Sequence, residues 1–333
     1  MFSPDVLRIE PASAAEEIER AIKLQVLGTL RRRGAVVGLS GGVDSSVVAA
    51  LCVRALGAAR VFGLLMPERD SSTDSLPLGR LVAEHLGIDC LVEDITAVLE
   101  ATGCYERQRE AIRMVFPEYS DGYRSKVGLP SLLDRERLNV TYVTIQTPSG
   151  DTKRARLTAQ AGLQLVAATN FKQRVRKMME YHHADRLHYA VAGTPNRLEY
   201  DQGFFVKQGD GAADFKPIAH LYKTQVYLLA EHLGVSEEIR RRPPTTDTYS
   251  MPQTQEEFFF ALPYDKMDLC LYGRDHDVPL EEVAGAIGLD RQQVERVYKD
   301  IDAKRRASQY LRLSPLLVHE LEESVSPCAA LPE

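Results

Sequence analysis

Apolar positions recur along this chain with two periods, and their alternation predicts its architecture. Ile18, Ile22, Val26 and Leu30 are four apart, which predicts a helix running to about Arg33 and ending at Gly34. Ser13-Ala14-Ala15-Glu16 has the form of a capping box at the start of that helix. Residues 35–39 are a continuous apolar run, as expected of a strand buried on both faces. A glycine loop follows, and residues 45–56 read as a helix. Residues 60–66 read as a second buried strand, residues 76–86 as a helix stopping at Gly87, and residues 89–92 as a third strand. Strands that alternate with helices need crossover connections. They predict an α/β fold: an open parallel β-sheet with helices on both faces, Rossmann-like.

The middle of the chain is less regular. Residues 105–115 look helical and residues 119–133 look like loop. Residues 139–147 are rich in β-branched side chains and alternate through Val140, Tyr142 and Thr144. A turn at Pro148-Ser149-Gly150-Asp151 and a return over residues 152–157 complete a predicted β-hairpin. Residues 170–183 form a basic helix with Arg174, Arg176 and Lys177, and residues 187–192 return as a buried strand ending at Gly193-Thr194. Residues 223–233 are helical up to Gly234. Beyond Pro263, helices are expected over residues 265–271, 280–287 and 291–307. The expected organisation is one domain over residues 1–312, an insertion at about 119–168, and a tail over residues 313–333.

Composition narrows the function. An apolar fraction of 44% and a charged fraction of 26% are ordinary for a globular protein and exclude global disorder. A net charge of −6 gives no general attraction for nucleic acid or anionic membrane, so neither is an expected partner. Any phosphate must be held by a local cluster of positive groups. Cys52, Cys90, Cys104, Cys270 and Cys328 are scattered, with no CxxC spacing; a zinc site or disulfide framework is not expected. No apolar stretch is long enough to span a bilayer, and no signal-peptide layout opens the chain. A cytoplasmic enzyme or binding protein is the expectation.

The sharpest feature is Gly38-Leu39-Ser40-Gly41-Gly42-Val43-Asp44-Ser45-Ser46, where the first strand turns into a helix. Adjacent glycines allow a tight turn and let an anion approach the backbone N–H groups. The following helix start adds free N–H donors and a positive dipole end. Ser40, Ser45 and Ser46 offer hydroxyls, and Asp44 is a hard oxygen ligand suited to Mg²⁺ beside phosphates. The segment has neither the GxxxxGK[ST] nor the GxGxxG spacing.

This loop resembles the pyrophosphate loop of the adenine nucleotide alpha-hydrolase type, shared by NAD synthetases, GMP synthetase, asparagine synthetase and several tRNA-modifying thiolases. A second block narrows the choice. Gly193-Thr194-Pro195-Asn196-Arg197-Leu198-Glu199, then Gly203 to Ile218, then Leu221-Tyr222-Lys223-Thr224-Gln225-Val226, resembles the ammonia-dependent NAD synthetase family. Met66-Pro67-Glu68-Arg69-Asp70-Ser71-Ser72 and the Asn170 to Arg176 stretch are similar to that family too, as is the basic cluster at Asp302-Ala303-Lys304-Arg305. The resemblance covers most of residues 14–307. It implies ATP as co-substrate, with Thr194, Lys223 and Thr245 as further ATP contacts beside the loop. It implies Asp44 and Glu199 as the Mg²⁺ ligands, with Asp44, Glu199 and Lys223 carrying the chemistry. It places Arg174, Lys207, Asp214 and Lys304 against deamido-NAD. It further implies a homodimer with active sites at the subunit interface.

The expected reaction is an ATP-dependent amide ligation: the nicotinate carboxylate of deamido-NAD is adenylated and passed to ammonia, giving NAD, AMP and pyrophosphate. The chain has no room for a glutamine-hydrolysing domain besides, so ammonia is expected from solution or a separate glutaminase. Three departures open an alternative, an amide ligase for another carboxylate. The 119–168 segment is long for the family, Gln253-Thr254-Gln255-Glu256 stands where QTDE is usual, and residues 246–252 differ. A helix-turn-helix reading of residues 280–306 fails on its acids, since Glu281, Glu282, Asp290, Glu295, Asp300 and Asp302 interrupt any basic face. A sulfur-transferring relative would need a placed cysteine, and only Cys52 stands near the loop in sequence.

Overall fold

The computed structural model describes residues 2–130, 141–246 and 248–319. Four parallel strands form the central sheet: β1 (Ala35–Gly38), β2 (Val61–Leu65), β3 (Asp89–Val92) and, after the insertion, β7 (Ala190–Val191), in spatial order β3-β2-β1-β7. Register pairs Ala35 with Val61 and with Ala190. Before β1 comes α1 (Pro11–Lys23), and after it α2 (Val43–Leu56), α3 (Ser75–Leu86), α4 (Thr96–Ala101) and α5 (Cys104–Arg113). Then come α6 (Ala159–Leu187), α7 (Arg197–Gln202), α8 (Lys223–His232) and α9 (Glu237–Arg241). The chain closes with α10 (Tyr264–Asp275), α11 (Leu280–Ile287) and α12 (Arg291–Ser308).

The continuous apolar runs in β1, β2 and β7 are explained by burial on both sides. Ala35, Val37, Val61, Leu65 and Ala190 face one layer with α1, α2, α3 and α8. Val36, Leu64 and Val191 face the other, with α4, α5 and α6. Alternate residues of each strand thus serve opposite cores, as the period of two requires. A third cluster joins α10, α11 and α12: Val283, Ala284, Ile287, Val294, Val297 and Ile301 are all buried in it, so the helix-turn-helix-like stretch is a packing unit.

Three local expectations are corrected. The first helix opens earlier than the Ser13 box: Glu10 caps it, its carboxylate accepting the Ala12 and Ser13 N–H groups, with Pro11 in the first turn. Pro11 has no N–H to lose there, so it fixes the start. The predicted hairpin is observed as β5 (Tyr142–Gln146) and β6 (Thr152–Arg156). Part of the presumed loop is also a strand, β4 (Arg124–Gly128), pairing antiparallel with β5. Ser125 and Val127 of β4 are buried, yet its alternation is masked by Arg124, Lys126 and Gly128 on the outer face. Residues 131–133 and 139–140 of those expectations lie outside the described residues, as do Cys328 and tail residues 320–333. Finally, α6 starts at Ala159, eleven residues before the predicted helix. Thr158 caps it by accepting the Ala161 N–H at 3.1 Å, and its first turns pack against the three-stranded sheet through Ala161 and Leu165.

Candidate functional site

The loop between β1 and α2 lies at the carboxyl end of the sheet, where ligands of open α/β sheets bind. Gly41 has φ of +73°, and a Cβ there would meet Leu78 Cβ and Ser75 O at 2.8 Å. Both the turn and the close approach of α3 therefore require glycine. The loop's hydroxyls organise it from within. The Gly42 N–H donates to Ser40 Oγ at 3.2 Å, and Ser40 Oγ lies 3.1 Å from Ser45 Oγ. Ser45 and Ser46 donate to the Gly42 carbonyl at 3.0 and 2.8 Å. The loop opens onto a cavity of about 530 Å³ whose lining includes Gly38, Leu39, Ser40, Gly42, Val43, Asp44 and Ser45.

Across the cavity stand the partners of Asp44. Its carboxylate forms an ion pair with the Lys223 ammonium, which is fully buried at the start of α8. Its other oxygen accepts from Asn196 Nδ2 at 3.1 Å. Asn196 caps α7 in a reciprocal box. It accepts the Glu199 N–H at 3.2 Å, while Glu199 Oε2 accepts the Asn196 N–H at 3.1 Å. One capping box thus fixes both carboxylates of the site. Burial, then the field of Asp44, pushes the Glu199 carboxyl up to about 8, against the pull of Lys223. Burial alone would lower the Lys223 ammonium, but Asp44 and Glu199 outweigh it and hold it above the usual lysine value. Asp268 on α10 anchors the lysine, accepting the N–H groups of Lys223 and Thr224 at 3.3 and 2.7 Å. Burial raises Asp268 to about 6 despite those donors.

Thr194, Glu199, Lys223 and Thr245 all line the cavity with the loop, so the structure brings these sequence-selected residues together. Gly41 and Ser46 support the loop from behind and are not part of the lining. Arg174, Lys207, Asp214 and Lys304 lie outside the lining as well. Arg174 Nε donates to the Lys207 carbonyl at 3.3 Å, and Lys207 Nζ to the Tyr310 carbonyl at 2.8 Å. Asp214 accepts from the Val191 N–H at 2.7 Å and from Tyr181 Oη at 3.2 Å. Lys304 reaches the Phe259 carbonyl and Asp300, both at 2.7 Å. Five further cavity residues carry charge that sequence reading left without a role: Arg176, Lys177, Glu180, Asp210 and Arg242. The helical spacing of the first three was the available signal.

Cys52 is fully buried, and burial pushes its thiol up to about 12, so it is no nucleophile for sulfur transfer. Among the described residues no cluster of three or more His, Cys, Asp or Glu side chains could hold a metal, and no helix is long and apolar enough to cross a membrane.

A glycine- and serine-built anion cradle at the carboxyl edge of a parallel sheet, faced by two carboxylates and a buried lysine, defines a nucleotide-handling α/β enzyme. Comparison with known proteins gives the family. The NAD synthase family model matches residues 15–115 and 114–312, and the chain belongs to that family. The NH(3)-dependent NAD(+) synthetase of Mesorhizobium japonicum is 62% identical over 318 residues, covering 96% of this chain and 100% of the relative. The Rhizobium meliloti protein of the same name is 56% identical, over 97% and 96%. Among solved structures, an NH3-dependent NAD synthetase from Campylobacter jejuni superposes with a TM-score of 0.61 at 21% identity, covering 93% of this chain and 100% of that one. The NMN synthetase of Francisella tularensis superposes with a TM-score of 0.60 at 22% identity, over 93% and 99%. These two likenesses establish the fold.

Proposed function

We propose that this enzyme is an ammonia-dependent NAD synthetase. ATP and deamido-NAD react first: a nicotinate carboxylate oxygen attacks the α-phosphorus and pyrophosphate leaves. Ammonia then attacks the acyl carbon of the adenylate, AMP departs, and the amide nitrogen loses its extra proton. The observation that carries the reading is Asp44, Glu199 and Lys223 converging on the anion cradle, in a chain 56–62% identical to proteins so named. Those relatives disfavour a different acceptor carboxylate. The first of them matches over 318 residues and its whole length, so a long insertion is no mark of another substrate.

Each group has a task that needs no protein nucleophile. The Val43–Ser45 N–H groups and the helix dipole hold the phosphates to be expelled. Thr194 and Thr245, which line the same cavity, are assigned to the nucleotide as well. The Lys223 ammonium stabilises charge developing on the phosphates. Asp44 and Glu199 fit Mg²⁺ by chemistry. They are hard oxygen donors on one cavity, and the repulsion of Asp44 that, after burial, raises the Glu199 carboxyl would be relieved by a divalent cation between them. When bound there, Mg²⁺ would supply Lewis-acid neutralisation of phosphate charge.

Arg174, Lys207, Asp214 and Lys304 are assigned to the dinucleotide. Their place outside the cavity suits a long substrate entering from the surface, completed by a second copy of the chain. Exposed apolar side chains on α6, Leu163 and Met178, support that homodimer. Ammonia comes from solution or a separate glutaminase, and the enzyme works in the cytoplasm. The test is direct: ATP, ammonium and deamido-NAD should give AMP, pyrophosphate and NAD in equal amounts, each component being required. AMP formation with another carboxylate but not with deamido-NAD would reject the assignment.

A further inference from the structure

One charged pair in the cavity has no task in this scheme. Lys177 and Glu180 lie three residues apart on α6, hence on one face. They are 6% and 7% exposed, and Lys177 Nζ meets Glu180 Oε2 at 2.5 Å. Both line the cavity, and so does half-buried Asp210, which the Val206 N–H holds at 2.7 Å. Burial raises the Asp210 carboxyl, and the Lys177 charge pulls it back, so the lysine serves two acids. Glu180 Oε1 has no hydrogen-bond partner among the described residues. It lies against the end of β1, 2.7 Å from where a Gly38 Cβ would stand. Any side chain at Gly38 would push the carboxylate off this position.

An ion pair so buried is costly unless its remaining lone pairs find donors. A carboxylate oxygen facing a nucleotide cavity also repels phosphate, so its partner must be a neutral donor. Gly38 is the first residue of the anion cradle, and the group of ATP next to the phosphates is the ribose. Carboxylates that take ribose hydroxyls beside a phosphate loop are a general solution in α/β folds. We infer that Glu180, braced by Lys177, accepts a hydrogen bond from a ribose hydroxyl of ATP and sets the enzyme's preference for ribonucleotides. The inference rests on reading the cavity as the ATP site.

The experiment compares ATP with 2′-deoxy-ATP, 3′-deoxy-ATP and purine riboside triphosphate in the parent, in Glu180→Gln, and in Lys177→Met/Glu180→Leu. The double variant removes both charges together, so neither is left buried and unpaired. Affinity by calorimetry and KM during NAD formation are both read. The parent should lose at least about tenfold for one of the deoxy-nucleotides, the scale of one hydrogen bond to a charged acceptor. The double variant should bind ATP and that analogue within about twofold of each other, with Glu180→Gln between. The inference is overturned if the parent does not distinguish the hydroxyls, or if the double variant, shown folded by its thermal transition, distinguishes them as well as the parent. A changed response only to the purine lacking its amine, or only in KM for the dinucleotide, would also overturn it. Tight ATP binding with hydroxyl discrimination but no NAD formation would uphold Glu180 and reject the synthetase reading instead.

Discussion

Glu199 is a carboxylate kept where its charge is unwelcome, and that has a measurable consequence for stability. Its folded-state value is about 8, against 4.5 for the unconstrained group. Between those values the folded chain binds a proton that the unfolded chain has released. Stability of the ligand-free enzyme should therefore fall as pH rises through that window. A series of urea midpoints from pH 5 to pH 8 should decline in the parent and decline less in Glu199→Gln. Adding Mg²⁺ with nucleotide should raise the midpoint most at the alkaline end, because binding needs the ionised form. A parent midpoint that rises with pH would show that Glu199 is ionised in the empty site. Lys223→Met removes the only ion-pair partner of Asp44 among the described residues and leaves Glu199 in a bare acidic field. We expect AMP formation to drop by about 10²-fold or more, as for loss of a preorganised charge at the transition state. The glycines, serines and Asp44 were legible in the sequence because one short segment holds them all. Asn196 and Asp268 were not, because each acts on a residue distant in sequence: Asn196 on Asp44, and Asp268 on the N–H groups of Lys223 and Thr224.

Elements meet around the cavity through two tethers. Lys172 on α6 is almost wholly buried, with Glu68 at 3.0 Å, Asp70 at 2.7 Å and the Thr248 carbonyl at 2.8 Å. It ties the segment after β2 to the cavity loop that follows α9. Lys172→Met strands two buried carboxylates and should cost about 3–5 kcal/mol in a urea titration. Replacing Glu68 and Asp70 by Gln and Asn in the same chain should recover part of the loss; no recovery would place the damage elsewhere. The second tether is β4. Its Ser125 and Arg124 grip Ser250 at 2.9 and 2.8 Å, the Met251 N–H donates to the Ser125 carbonyl at 3.0 Å, and Gln253 donates its amide to the Val127 carbonyl. The three-stranded sheet is thus a brace for the segment that continues from Thr245 to Gln255, both of which line the cavity. Arg124→Ala should loosen that segment and raise KM for ATP more than it lowers kcat, a split that uniform binding loss predicts. The parallel strands were legible as short apolar runs, and most of their helices by the helical spacing of apolar positions between glycine stops. β4 was hidden because its role is to face another loop, and a polar edge strand carries no helical or alternating apolar signal of its own.

At the scale of the whole molecule, α6 joins these tethers to the surface. Its 29 residues span roughly 43 Å. One face carries Lys172, Lys177 and Glu180 inward. Another face carries Leu163, Arg174 and Met178, with the two apolar members 75% and 54% exposed. Apolar side chains so exposed along one ridge of a helix are costly in a monomer and ordinary in a subunit contact. Arg174 stands on the same ridge and touches Lys207, so a partner pressed against it would reach the groups assigned to the dinucleotide. The chain should therefore sediment as a dimer, and Leu163→Glu/Met178→Glu should move it toward the monomer. The two effects on substrate separate the causes. In the proposed assignment ATP lies on one chain's own loop, so its affinity should stay within about twofold, the scatter expected of distant surface changes. The dinucleotide depends on the shared ridge, so its KM should rise by about tenfold or more, in step with the monomer fraction and restored by raising protein concentration. A monomeric variant that forms NAD as well as the parent at nanomolar enzyme would place the whole site within one subunit.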